Sequence, residues 1–158
     1  MRISAKADYA IRAMTELAAA AATPATAAAK PVKGDRIATA QEIPVKFLEN
    51  ILVDLRHAGL VASQRGAEGG YWLARPAAEI TLADVIRAVE GPLASVRGMR
   101  PGTIVYQGSA APLADVWIAV RAALRAVLEG VTLADLAAGT LPAHIVALAS
   151  APGARLPQ

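Results

Sequence analysis

The sequence predicts a mainly α-helical fold with one small β-hairpin and a long apolar helix towards its C-terminal end. Hydrophobic residues make up 55% of the 158 residues and aromatic residues only 4%, which favours alanine-rich helices over a β-sandwich. Apolar residues recur at helical spacing over most of the chain, and only two short apolar runs, joined by a glycine-rich segment, are typical of paired strands. This length allows one domain, or a small domain with an extension.

A first helix is predicted after Ser4, whose hydroxyl is placed to cap it. Its apolar positions recur at spacings of three and four and form one face, comprising Ala7, Ala10, Ile11, Met14, Leu17, Ala18 and Ala21. The helix is expected to end in residues 23–31, an Ala/Thr/Pro stretch that we interpret as an exposed connector.

A short helix over residues 35–40 and a brief turn through Ile43 precede a longer helix, which Pro44 opens and Gly59 is placed to end. The expected buried face of the longer helix comprises Phe47, Leu48, Ile51, Leu52 and Leu55. The opposite face comprises Lys46, Glu49, Asn50, Val53 and His57. A short helix, a turn and a longer helix with a polar outer face are typical of a helix-turn-helix motif.

Residues 60–63 and 71–74 are predicted to pair as a β-hairpin, because residues 64–70 between them contain three glycines. A hairpin directly after a helix-turn-helix is typical of a wing. A further helix follows, capped by Thr81 with Asp84 three residues on, and Gly91 with Pro92 ends it. Its expected inner positions are Leu82, Val85, Ile86 and Val89.

Residues 93–112 show no clear period and are predicted to form a loop. Beyond them, apolar residues alternate at spacings of four and three, as in a helix that pairs with a partner helix: Leu113, Trp117, Val120, Leu124, Val127 and Val131. With Val116, Ile118 and Ala123 also apolar, this helix is expected to form a homodimer. The alternative is an amphipathic helix that packs only on its own domain.

The remainder of the chain carries weaker signals. Thr132 and Asp135 predict one further short helix to Ala138, ended by Gly139. We expect residues 141–158 to form a C-terminal tail that frays at its end.

The composition excludes several kinds of site. The chain contains no cysteine, so it has no disulfide, no thiolate zinc site and no thiolate-bound iron–sulfur cluster. Charged residues interrupt the apolar part of the first 22 residues, and no uncharged apolar run elsewhere is long enough to span a membrane. We therefore expect a cytoplasmic protein with no membrane partner.

The positive charge lies in the N-terminal half. Residues 1–75 hold ten Lys or Arg against seven Asp or Glu, whereas residues 76–158 hold six of each. This excess favours docking of a polyanion there, although ordinary solvated surface charge would look the same.

No pattern predicts catalysis or metal binding. Ser63 has no histidine placed beside it by pattern, and the acids are scattered singly over helix surfaces. His57 and His144 lack ligand-spaced partners, so we interpret both as solvated or locally hydrogen-bonded. Trp117 and Trp72 could line an effector pocket with Met99 and Tyr106, but core packing is the simpler interpretation for Trp117.

Several strings taken together in this order resemble the Rrf family of bacterial regulators, of the IscR/NsrR type. They are MRIS with Tyr9 and Ala10, IPVKFLENIL at residues 43–52, AGLV at 58–61, RG at 65–66, GGY at 69–71, LAR at 73–75 and ITLADVI at 80–86. The resemblance is dense over residues 1–92 and returns at residues 128–136.

The resemblance implies a homodimeric winged helix-turn-helix regulator that places its third helix in the major groove of double-stranded DNA and its wing near the minor groove. Lys46 and Glu49 match positions that read bases in such regulators, and Arg65 matches the wing position that reaches DNA. The chemistry agrees, since glutamate accepts from cytosine, arginine donates to guanine or enters a narrow minor groove, and lysine neutralises phosphate. The predicted DNA-binding residues are Lys46, Glu49, Asn50, Gln64, Arg65, Gly66, Arg2 and Ser4, although Glu49 could instead be an exposed residue paired with nearby lysines.

The chain departs from the family in one respect. Many members carry three cysteines that ligate an iron–sulfur cluster before the dimer helix, but here residues 95–112 contain none, so we expect no cofactor. The first hypothesis is therefore a DNA-binding domain at residues 1–92, a loop and dimer helix at 93–140 and a tail at 141–158, acting as a repressor on a near-palindromic operator. An unidentified small molecule or protein would act as its effector. The second hypothesis is a winged module that senses a metabolite or binds a protein without recognising an operator.

Overall fold

The structure is a computed structural model that describes residues 2–22 and 30–156. It is mainly helical with one antiparallel hairpin, as the sequence predicts. The predicted connector at residues 23–31 lies largely outside the described residues. The elements in chain order are α1 (Ala5–Ala22), α2 (Gly34–Gln41), α3 (Val45–His57), β1 (Val61–Gln64), β2 (Gly70–Leu73), α4 (Leu82–Glu90), α5 (Leu113–Leu128), α6 (Leu133–Ala138) and α7 (Ala143–Ala149).

The hydrophobic core lies around α1, which packs against α2, α3, α4, α6 and β2. Side chains that are almost completely buried come from each of these helices; they include Met14, Leu17, Ile37, Leu48, Ile51, Leu52, Leu55, Val85 and Leu133. Each apolar side chain of this size stabilises the fold by about 1.5–3 kcal/mol when fully buried. The core therefore holds the helix-turn-helix rigidly on α1.

The buried face of α3 agrees with the prediction except at Phe47, where the prediction is wrong. Leu48, Ile51, Leu52 and Leu55 are at most 2% exposed, whereas Phe47 is 45% exposed. Phe47 lies in the first turn of α3, where its contact with α1 is an edge-to-face contact with the ring of Tyr9, at a centroid distance of 5.7 Å. Tyr9 is itself half-buried, so the two rings shield each other only in part.

The hairpin is shifted by one residue from its predicted strands. Gln64 pairs with Gly70 and Val61 with Leu73. Leu60 belongs to the turn that ends α3, because Gly59 adopts a left-handed conformation (φ 72°) and the Leu60 N–H donates to the carbonyl oxygen of Leu55 at 3.0 Å. β1 therefore lies one residue later than the first apolar run, and β2 lies one residue earlier than the second.

A third extended segment lies beside β2. The backbone N–H of Val32 donates to the carbonyl oxygen of Tyr71 at 2.8 Å, and the N–H of Tyr71 donates back to Val32 at 2.9 Å. The backbones approach so closely that a Cβ atom on Gly70 would lie 2.7 Å from the carbonyl oxygen of Val32. Gly70 is required for this contact.

After α5 the chain returns to the winged unit, the part of the fold that α1 to α4 and the hairpin form. Thr81 and Thr132 cap α4 and α6 with capping boxes to Asp84 and Asp135, as predicted. The backbones before the two helices pair, with Leu82 N–H donating to Val131 O at 3.0 Å. Val131, predicted as the last residue of the pairing seam, is therefore 3% exposed inside the winged unit, and Leu133 lies in the core.

The segment predicted as a tail contains α7. Pro142 precedes its first turn, and Ile145 is half-buried while Val146 and Leu148 are about half exposed. The loop at residues 93–112 also has local structure, with short 3-10 turns at Pro101–Thr103 and Gly108–Ala110.

Candidate nucleic-acid interface

The outer face of α3 presents the polar side chains that the sequence predicted. The side chain of Lys46 is 97% exposed and that of Glu49 is 58% exposed, with Lys46 Nζ 3.8 Å from Glu49 Oε2. Asn50 is exposed on the same face. Their polar atoms are accessible because Leu48, Ile51 and their apolar neighbours occupy the other side of the helix.

The turn of the hairpin is also exposed. Gln64, Arg65 and Gly66 are solvent-accessible, and the turn is closed by a hydrogen bond from Gly69 N–H to Gly66 O at 3.0 Å. Arg56 at the end of α3 donates to the hydroxyl of Ser63 in β1 at 3.4 Å. This contact connects α3 to the strand that leads into the turn.

Arg2 and Ser4, the two predicted DNA-binding residues near the N-terminus, have different surroundings. Arg2 is exposed, whereas Ser4 accepts a hydrogen bond from Ala7 N–H at 3.0 Å and donates to the carboxylate of Glu90 at the end of α4. The Ser4 hydroxyl thus caps α1 as predicted, and a role at DNA stays a prediction. Lys6 connects α1 to α3 through Asp54, with Nζ 2.7 Å from Oδ2.

Lys33 was not singled out by sequence reasoning. Its ammonium lies 3.0 Å from the carbonyl oxygen of Gly66 and 2.6 Å from that of Ala67 in the hairpin turn. No local pattern could have identified this contact, because the partners are more than thirty residues apart in the chain.

The predicted pairing helix is α5. All five predicted dimer residues within it, Leu113, Trp117, Val120, Leu124 and Val127, are half-buried in the single chain. Val116 and Ile118 are 50% and 46% exposed, and Ala123 is also exposed. Pairing along this seam remains a prediction. The apolar side chains of Val116, Ile118 and Ala123 beside it are exposed in the single chain.

A pocket of 420 Å³ lies between α5 and the preceding loop. It is lined by Trp117 and Val120 of α5, by residues 92–96 and by Pro101. Trp72, Met99 and Tyr106, which the sequence suggested as further lining residues, do not line it. Trp72 lies in β2 opposite Ala62.

An ion-pair network connects the end of α5 to α4. Arg125 donates from Nε and Nη2 to the carboxylate of Glu129 at 3.0 and 3.2 Å, and Arg87 of α4 donates to the same carboxylate. Hydrogen bonds from Arg125 and then Arg87 lower the pKa of Glu129 to about 2. Glu129 is therefore ionised at neutral pH, and its ion pairs connect α5 to α4.

None of the helices in the described chain combines the length and the apolar character needed to span a bilayer.

The comparisons with known proteins agree with one another. A family model described as Rrf2, iron-dependent transcriptional regulator, matches residues 3–139. The Mycobacterium tuberculosis protein Rv1287, whose name assigns it to the HTH-type transcriptional regulators, is 54% identical over 149 residues, covering 94% of this chain and 89% of that protein. The HTH-type transcriptional regulator CymR of Bacillus subtilis is 36% identical over 140 residues, covering 89% and 92%.

Solved structures show the same fold. The structure of CymR from B. subtilis matches with a TM-score of 0.71 and 35% identity, covering 89% of this chain and 98% of that one. The structure of IscR from T. potens matches with a TM-score of 0.66 and 32% identity, covering 100% and 93%.

The iron named in the family description does not fit the residues of this chain. The chain has no cysteine to ligate a cluster. Within residues 2–22 and 30–156, no three His, Asp or Glu side chains are grouped closely enough to hold a metal ion. We therefore derive no function through iron.

The exposed face of α3, the hairpin beside it and the match over most of the chain's length lead to one conclusion. The chain belongs to the Rrf2 family of winged helix-turn-helix, DNA-binding transcriptional regulators.

Proposed function

We propose that the protein is a homodimeric repressor that binds a near-palindromic operator in double-stranded DNA. The observation that carries this proposal is that α3 and the hairpin turn both expose polar residues, namely Lys46, Glu49 and Asn50 on the helix and Gln64, Arg65 and Gly66 on the turn. A helix with such side chains fits the major groove, and an arginine at the wing fits the minor groove. Arg2 and Ser4 would lie at the edge of this interface.

Dimer formation is supported by the free apolar surface of α5. Val116, Val120, Ala123 and Val127 follow one another at spacings of four, three and four, so they share one side of the helix. Val116 and Ala123 are exposed, while Val120 and Val127 are half-buried and belong also to the predicted seam. A second copy of the chain would cover this stripe and place the two α3 helices about one or two turns of DNA apart.

A substitution on this stripe tests the dimer. Ala123→Glu should convert the dimer to a monomer, because it places a charge in an apolar interface. Ala122→Glu is the matched control, since Ala122 is exposed on another side of α5. Sedimentation equilibrium measures the outcome, and a wild-type chain that is monomeric at micromolar concentration contradicts the dimer.

The operator is best identified by genomic footprinting of the purified protein, followed by affinity measurements on the site found. Arg65→Ala should weaken specific binding by about 1–3 kcal/mol. Arg155→Ala removes the same charge from the exposed C-terminal region and should leave binding unchanged. Equal losses in both variants, or no footprint at all, would contradict operator recognition and favour a module that binds a protein or a metabolite instead.

Repression is the simplest consequence of operator binding, because a bound dimer excludes RNA polymerase by occupancy alone. An in vitro transcription assay with the footprinted promoter measures this directly. A rise in transcript upon addition of the protein would show activation instead.

We also infer that the regulatory signal is a bound small molecule or partner protein. The chain has no cysteine for a cluster or a thiol switch. The pocket beside Trp117 lies between α5 and the loop that precedes it. A ligand bound there could therefore change how the dimer holds its two winged units. Metabolites added during footprinting test for such a signal.

A further inference from the structure

We infer that Lys33 is a positioning residue that braces the hairpin turn against the helix-turn-helix and so presents Arg65 to DNA. This inference rests on the proposed contact between Arg65 and DNA. It concerns a residue outside both the exposed face of α3 and the turn itself.

The first support is the contact geometry. Lys33 Nζ donates to two successive carbonyl oxygens of the turn, Gly66 at 3.0 Å and Ala67 at 2.6 Å. Hydrogen bonds from a charged donor are stronger than neutral ones. Glu68, the acid of the same turn, forms no ion pair with Lys33 in the described chain, so the ammonium is held by the turn backbone.

The second support is the anchorage of Lys33 itself. The carbonyl oxygen of Lys33 accepts the first backbone hydrogen bonds of α2, from Arg36 and Ile37 at 3.1 and 3.2 Å. Ile37 is fully buried, and Val32 on the other side is 6% exposed and pairs with β2. The ammonium therefore extends from a fixed point of the helix-turn-helix.

The third support is that Lys33 is unfavourable for α2. It occupies the N-cap, where Ser, Thr, Asp or Asn would accept a backbone N–H, and its side chain provides no cap. A cation at a helix N-terminus also opposes the helix dipole. The side chain of Lys33 thus contributes nothing to the start of α2, whereas its contact with the turn requires a long cationic side chain.

Among the described residues, the other contacts that hold the hairpin lie on its strands, not on the turn. β1 packs against α3 and β2 against α1. The Val32–Tyr71 pairing holds β2, but it lies beyond the turn residues 65–69. Lys33, which lies outside the hairpin, donates hydrogen bonds to the turn backbone itself. The two residues that accept them follow directly after Arg65 in the chain.

The experiment is a double-mutant cycle on the footprinted operator with Lys33→Met and Arg65→Ala. Arg65→Ala should weaken binding about tenfold or more, and Lys33→Met about fivefold, by loss of the charged hydrogen bonds. In the Arg65→Ala background, Lys33→Met should change affinity by less than about twofold and leave the salt dependence unchanged. Lys33→Arg should retain binding because a guanidinium can donate to both carbonyls.

Lys30→Met is the matched control, because Lys30 is exposed in the same segment and forms no hydrogen bond or ion pair in the described chain. It should not be coupled to Arg65. A readout without DNA is amide hydrogen exchange at Gly69, whose N–H closes the turn; exchange should accelerate about fivefold in Lys33→Met and remain unchanged in Lys30→Met.

Four outcomes overturn the inference or the contact on which it rests. Additive losses with a smaller salt dependence in the Arg65→Ala background would show that Lys33 contacts phosphate directly. Unchanged exchange at Gly69 would show that the turn needs no brace. An Arg65→Ala variant that binds like wild type would overturn the proposed wing contact, and the role of Lys33 with it, whereas a normal loss in Arg65→Ala with additive Lys33→Met overturns only the role of Lys33.

Discussion

Lys46 and Glu49 form an ion pair on the outer face of α3, with Nζ 3.8 Å from Oε2 and both side chains mostly exposed. An exposed pair of this kind contributes at most about 1 kcal/mol, so it opens at little cost when another partner arrives. On DNA, Lys46 would bind a phosphate and Glu49 would accept a hydrogen bond from the amino group of a base. The two residues would then have separate roles.

Lys46→Ala should therefore weaken binding to all DNA sequences alike. The slope of log affinity against log salt should fall by about 1, as expected for the loss of one phosphate contact. Titrations of operator and non-operator DNA at several salt concentrations measure this. A loss confined to the operator would contradict a phosphate role.

Glu49→Ala should instead relax specificity at a single base pair, by about 1–3 kcal/mol of discrimination. Binding to a panel of operators with single substitutions measures the effect. Glu79→Ala removes an exposed carboxylate before α4 and provides the control. An unchanged base preference in Glu49→Ala would assign the glutamate to the helix surface only.

Gly69→Ala should destabilise the hairpin. An added Cβ would lie 2.1 Å from the carbonyl oxygen of Gln64, so the turn must open, and we expect a loss of about 1–3 kcal/mol in the free energy of unfolding. Gly102→Ala is the control, because a Cβ there meets nothing within 4 Å. Thermal unfolding and operator binding measure both variants, and equal stability would contradict the close approach.

Leu133→Ala should lower the free energy of unfolding by about 2–5 kcal/mol, since Leu133 is completely buried in the core of the winged unit. Leu148→Ala in α7, where the side chain is 56% exposed, should have a much smaller effect. Chemical denaturation measures the difference. Similar values for the two variants would mean that α6 is not part of the core.

Glu129→Gln should change the acid stability of the protein. Because the pKa of Glu129 is lowered to about 2 from 4.5 by Arg125 and Arg87, ionised Glu129 stabilises the fold above pH 4.5, and this contribution is lost as the pH falls towards 2. The wild type should be more stable than Glu129→Gln at pH 6, and the difference should vanish near pH 2. Urea denaturation followed by circular dichroism at each pH measures it, and a difference that does not depend on pH would contradict the ion-pair network.

Local patterns in the sequence predicted most of the helices correctly. Capping by Thr81 with Asp84 involves atoms three residues apart, and the end of α3 depends on the left-handed conformation of Gly59, so neighbouring residues carry the required information. The polar outer face of α3 was predictable for the same reason, because side chains on one side of a helix repeat at its own period.

Tertiary packing alone decided where particular side chains lie. Phe47 has the spacing of a buried residue but is 45% exposed, because it lies in the first turn of α3 and its ring meets the half-buried Tyr9 of α1 edge to face. Val131 continues the seam of α5 in the sequence, yet the backbone pairing between Thr81 and Thr132 carries it into the winged unit.

The sequence by itself determined that this is a cysteine-free winged helix-turn-helix whose third helix has a polar outer face, because composition and periodicity are properties of the chain alone. Only the tertiary structure decided that Lys33 contacts the turn beside Arg65. A contact between residues more than thirty positions apart depends on how α2 and the hairpin pack against each other, and no local pattern records that geometry.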